Sequence, residues 1–73
     1  MTLKELTYKI SMSIGLEIAT QDYYNGRETI VYRALQYENN TIEMREMLRT
    51  YGEYDVRFID IHKENTLFII ITK

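Results

Sequence analysis

Two runs near the end of the chain, Val56-Arg57-Phe58-Ile59-Asp60-Ile61-His62 and Leu67-Phe68-Ile69-Ile70-Ile71-Thr72, are dense in β-branched and aromatic residues and flank the polar group Lys63-Glu64-Asn65-Thr66. Such residues fit the pleated surface of a sheet, and the polar break between them reads as a hairpin loop of four or five residues. The rest of the fold has to accommodate this hairpin. The chain has 73 residues, room for one domain spanning 1–73, and a chain of that size buries only about 60 per cent of the surface its unfolded form exposes. It has no cysteine, so neither disulfides nor thiolate metal sites can hold the core together.

Thr2 and Glu5 stand in capping-box spacing, and Leu3, Leu6 and Ile10 follow as one apolar stripe, which predicts a helix that the Ser11–Gly15 stretch ends. From Leu16 the period changes to two, with Leu16, Ile18 and Thr20 on one face and Glu17, Ala19 and Gln21 on the other, as in a half-buried strand. Asn25-Gly26 suits the positive φ angles of a tight hairpin turn into the β-rich Thr29-Ile30-Val31-Tyr32. Asn40 and Glu43 repeat the capping spacing ahead of Ile42, Met44, Met47, Leu48 and Tyr51, with Gly52 as a left-handed cap. The fold class that follows is α+β, an αββαββ unit with a four-stranded antiparallel sheet and both helices on one face. The covered face is expected to be Leu16, Ile18, Ile30, Ile59, Ile61, Leu67, Ile69 and Ile71.

Hydrophobic residues at 45% and charged residues at 27% match an ordinary water-soluble domain and exclude a disordered tail or a membrane span. Nine basic against eleven acidic residues give a net charge of −2, too weak for a basic nucleic-acid footprint or an acidic DNA mimic. The opening Met1-Thr2-Leu3-Lys4-Glu5-Leu6 carries no apolar signal segment, so a cytoplasmic location is the expectation.

Catalytic chemistry finds little to use. The single histidine, His62, has no partner evident in sequence, Ser11 and Ser13 lack a nucleophile-elbow setting, and the three glycines form no phosphate loop. No enzyme activity, catalytic residue or cofactor is expected. Asp55, Asp60 and Glu64 offer oxygen ligands, but Asp55 and Asp60 have opposite parity on a regular strand, so a metal site is not expected unless a bulge intervenes. Arg33, Arg45, Arg49 and Arg57 are candidates for a small anion site, with Arg45 and Arg49 one helical turn apart, set against a mixed-charge surface that includes Glu43, Glu46 and Glu53. The seven tyrosines, Tyr8, Tyr23, Tyr24, Tyr32, Tyr37, Tyr51 and Tyr54, divide between core boundary and contact surface. Tyr8 and Tyr51 are read as shields at helix edges; Tyr23 and Tyr24, beside the hairpin tip, are read as contact residues. Base stacking would need more basic neighbours than Arg27, which disfavours nucleic acid.

Face-counting supplies the clearest functional expectation. On the last two strands Phe58, Phe68 and Ile70 point away from the helix-bearing face, and a sheet with helices on one side leaves them as a wet apolar patch. The expected interface is Tyr23, Tyr24, Phe58, Phe68 and Ile70, with a homodimer as the first geometry and a partner protein as the other occupant.

Thr2-Leu3-Lys4-Glu5-Leu6, the Asn25-Gly26 hairpin and the closing pattern Val56-x-x-Ile59-x-Ile61 then Leu67-x-Ile69-x-Ile71 resemble short uncharacterised proteins of phages and mobile elements in low-GC Gram-positive bacteria. The chain departs from them in its tyrosine content and its doubly apolar final hairpin. The resemblance implies a non-enzymatic accessory protein and, by analogy, an inhibitor or regulator of a host protein, anti-CRISPR proteins being one anti-defence example. The leading expectation is therefore a small protein-binding module. The alternatives are a small-ligand or nucleotide-binding module using Arg45 and Arg49, or a structural homo-oligomer.

Overall fold

The computed structural model describes residues 1–10, 14–21, 25–36, 41–63 and 65–73, with residues 62 and 63 by backbone alone. Its first helix starts on a reciprocal pair: the Thr2 hydroxyl accepts the Glu5 N–H at 3.2 Å, and the Glu5 carboxylate accepts the Thr2 N–H at 3.0 Å. Two N–H groups that a helix start leaves open are thereby satisfied. Helix α1, Leu3–Thr7, is shorter than its apolar stripe implied. The Thr7 hydroxyl donates back to the Lys4 carbonyl at 2.9 Å, a local bond that competes with helix continuation, and Ile10 packs on the core from beyond the helix end.

β1 (Gly15–Gln21) and β2 (Glu28–Ala34) pair antiparallel. Gly26 adopts φ 69° as its position required, and the Asn25 side chain accepts the Arg27 N–H at 2.7 Å. Pairing ends at Gln21 and Glu28, so the connection is longer than a tight two-residue turn. Helix α2, Ile42–Tyr51, is capped by Thr41, whose hydroxyl accepts the Met44 N–H at 3.1 Å; the cap expected at Asn40 falls outside the described residues. Gly52 ends α2 in right-handed backbone, φ −59°, because its N–H still donates to the Leu48 carbonyl at 2.8 Å and extends the helical pattern. β3 (Asp55–Lys63) and β4 (Thr66–Thr72) then pair antiparallel, with Lys63 already opposite Thr66 and Asn65 at φ 59°, a tighter reversal than the expected loop.

In chain order the elements run α1, β1, β2, α2, β3, β4, but the four-stranded sheet is ordered β2-β1-β4-β3. The sheet is mixed, which corrects the antiparallel expectation: β1 and β4 lie side by side and parallel. Each hairpin keeps its own antiparallel pairing. Because α2 carries the chain from β2 at one edge to β3 at the other, the inner strands of the two hairpins meet running the same way.

Leu3 of α1 and Met44 and Met47 of α2 bury against Leu16, Ile18, Ile69 and Ile71, which places both helices on one sheet face. Fully burying each such aliphatic side chain stabilises by about 1.5–3 kcal/mol. Burial raises the Tyr32 phenol pKa on β2, and the nearby Thr41 side chain pulls it the other way.

Three residues expected in this core are not in it. Ile30 stands opposite Ala19 on the uncovered face, because a bulge between Ile18 and Ala19 inserts Val31 and shifts the parity of β2. Ile59 and Ile61 stand opposite Ile69 and Leu67, on the helix side, yet remain 46% and 73% exposed. They lie on an edge strand whose far half the helices do not cover.

Candidate binding surface

β1 was expected to be half-buried and is instead buried from Gly15 to Ala19, on both faces. The reason is its central position. On the face without helices, Ala19 stands beside Ile70 and Glu17 beside Phe68 across the parallel pair, so the central strands cover each other's side chains. Ala19, Phe68 and Ile70 form a second small apolar cluster. Glu17, nearly buried next to it, is paired with Arg33 of β2 at 3.4 Å, which offsets part of the cost of holding a carboxylate there.

Phe58 and Asp60 of β3 stand opposite Ile70 and Phe68 and therefore share this face, as parity implied for Phe58, Phe68 and Ile70. Their exposure separates them. Phe68 and Ile70 are each 7% exposed, whereas Phe58, at the edge, is 49% exposed. The expected wet patch of three residues is thus reduced to Phe58, with its two neighbours as its buried support. Tyr23 and Tyr24 lie outside the described residues.

A hollow of about 490 Å³ opens on this face. Phe68 and Ile70 form its base, Arg57, Phe58 and Asp60 line it from β3, and Gln21 with Glu28 line it from the first hairpin. Its rim carries both signs of charge above an apolar base, an arrangement that suits a side chain of a partner or a small amphipathic ligand. A smaller hollow of about 240 Å³ lies on the other side of the last hairpin, lined by Ile14, Ile61, Asn65, Thr66 and Leu67.

Asp55 and Asp60, opposite Thr72 and Phe68, do share a face, because the bulge at Arg57 shifts the parity of β3 between them. They stay apart all the same: four residues along β4 separate their partners, about 13 Å. Among the described residues no three His, Cys, Asp or Glu side chains converge as a metal site would need. Arg45 and Arg49 are exposed on α2 and line neither hollow. Tyr51 and Tyr54 meet edge to face, centroids 5.1 Å apart at 80°, at the margin of the helix-side core, while Tyr8 projects into solvent rather than shielding a helix edge. Sequence reasoning missed Ile59 and Ile61 as surface residues, along with Gln21 and Glu28 around the hollow. The charges Arg57 and Asp60 inside an otherwise apolar run are the sequence signal of an edge strand that could have found the two isoleucines.

No described helix is long and apolar enough to cross a membrane. Comparison of the chain with protein-family models, with curated proteins and with solved structures finds no match in any of the three.

Proposed function

We propose that the chain is a non-enzymatic protein-binding module that acts by occupying a surface of its partner. The carrying observation is that large exposed apolar side chains gather on one strand: Phe58, Ile59 and Ile61 project from both faces of β3 at the sheet edge, next to the mixed-charge hollow. Apolar groups placed that way reward burial against another protein, and Arg57 and Asp60 supply a polar rim. On the resemblance to phage and mobile-element proteins, the partner is a host protein and the effect on it is inhibition or regulation. A second copy is the other occupant of the same surface, in a homodimer.

The nucleotide alternative has less support, because Arg45 and Arg49 line neither hollow. Thermal shift against a nucleotide panel separates it, since a ligand selective for the folded state raises the melting temperature. For the binding module, the substitution to use is Phe58→Asp. It charges the exposed side chain and leaves the buried Phe68 and Ile70 alone, so folding by circular dichroism should persist. The expected result is that a partner cross-linked to the wild type, or self-association seen by sedimentation, is lost in Phe58→Asp. A wild type that neither self-associates nor cross-links through β3 in cells overturns the reading.

A further inference from the structure

We propose that Asp60 keeps the outer edge of β3 closed against β3 of a second copy. Two N–H groups of this strand point away from β4: that of Val56 donates to the Met1 carbonyl at 2.9 Å, and that of Ile61 donates to the Asp60 side chain at 2.8 Å. Val56, Ile59 and Ile61 stand opposite Ile71, Ile69 and Leu67, with the Phe58 and Asp60 pairs between them. Outward and inward backbone groups alternate along an antiparallel ladder, so Ile59 also presents its groups outward. Ile59 and Ile61 are the residues through which an added strand would bond. Farther back the edge is already covered, because Leu3 N–H donates to the Tyr54 carbonyl at 2.9 Å and Thr2 bridges Asp55 antiparallel.

Two identical strands joined about a two-fold axis have few self-reciprocal registers. Ile59 opposite Ile61 of the copy uses both bonding residues, but it places Asp60 directly opposite Asp60 of the copy in a close, unbonded pair, where like charges repel. That register also needs the Ile61 N–H, which Asp60 already holds. Ile61 opposite itself needs the same N–H. Ile59 opposite itself drives residues 62 and 63 of the copy against Val56 and Asp55, where Met1 to Leu3 lie. One carboxylate thus closes two registers and the N-terminal segment closes the third. An apolar edge strand is the kind of template that proteins blunt with a charge, and here the charge also caps the backbone.

The test is sedimentation velocity of the full chain over a concentration series, comparing wild type, Asp60→Ala and Asp60→Ala with Ile59→Pro, each checked by circular dichroism. Asp60→Ala should raise the weight-average mass toward double that of the wild type at equal concentration, whatever the wild type's own state. Proline at 59 removes an outward N–H that β4 does not use, and it should restore wild-type behaviour. If the proline variant loses its fold, amide exchange reads the same contact: the Ile59 and Ile61 amides of Asp60→Ala should gain protection as concentration rises. An Asp60→Ala chain that sediments like the wild type throughout, or one that associates while both amides stay unprotected, overturns the proposal.

Discussion

Ile59 and Ile69 face each other across β3 and β4, on the same side of the sheet, and their surroundings could hardly differ more: Ile69 is fully buried, while its partner is nearly half exposed. The same contrast runs through the molecule. Among the described residues, β1 and β4, in the middle of the sheet, supply its buried aliphatic and aromatic side chains on both faces, and β2 and β3, at the edges, supply half-buried and exposed ones. Alternation along a strand decides which face a residue looks toward. Whether anything covers it is decided by the strand's place in the sheet and by how far the helices reach.

The largest effect expected from this contrast is a difference between partners. Ile69→Ala should cost about 2–5 kcal/mol, the range for truncating a buried isoleucine, and Ile59→Ala less than about 1 kcal/mol, both by denaturant unfolding. Equal losses at the two positions would show that the far half of β3 is covered in solution and would break the distinction between centre and edge. Next in size is Gly15→Ala, at the start of β1. An added Cβ would lie 2.5 Å from the Thr66 hydroxyl oxygen and 3.3 Å from the Leu35 carbonyl oxygen, so the junction of the central strands must shift, at about 1–3 kcal/mol. The capping threonine outside the sheet is worth less: Thr2→Ala should lower stability by about 1 kcal/mol, read as a shift of the unfolding midpoint at unchanged slope.

The smallest effect is one of pH. The Glu5 carboxyl is held below its ordinary value of 4.5, first by the Thr2 backbone N–H and then by the Thr2 hydroxyl. A carboxyl depressed in the folded chain contributes stability above its unfolded pKa and loses it as the pH falls through the folded pKa. The melting temperature should therefore fall on acidification below about pH 4.5, and Glu5→Gln should flatten part of that decline. A Glu5→Gln curve parallel to the wild type over that range would separate the capping box from the acid sensitivity.

Much of this arrangement is legible in the residues themselves. The capping box at Thr2 and Glu5, the left-handed glycine at Gly26, the strand character around Ile18, Tyr32, Ile59 and Ile69, and the apolar stripe of Met44 and Met47 depend on interactions within a few positions along the chain. Such local preferences are written into local sequence. The common face of Phe58, Phe68 and Ile70 followed from the same alternation, although two of the three proved to be buried. Apart from the charges Arg57 and Asp60 within β3, those local patterns carry no information about which hairpin strand lies inside and which lies outside. Only the tertiary structure decided that β1 and β4 meet in parallel, that bulges at Val31 and Arg57 reset the parity of both edge strands, and that Ile59 and Ile61 stay wet. The physical reason is that burial belongs to contacts between residues far apart in the chain, and these depend on where α2 carries the second hairpin.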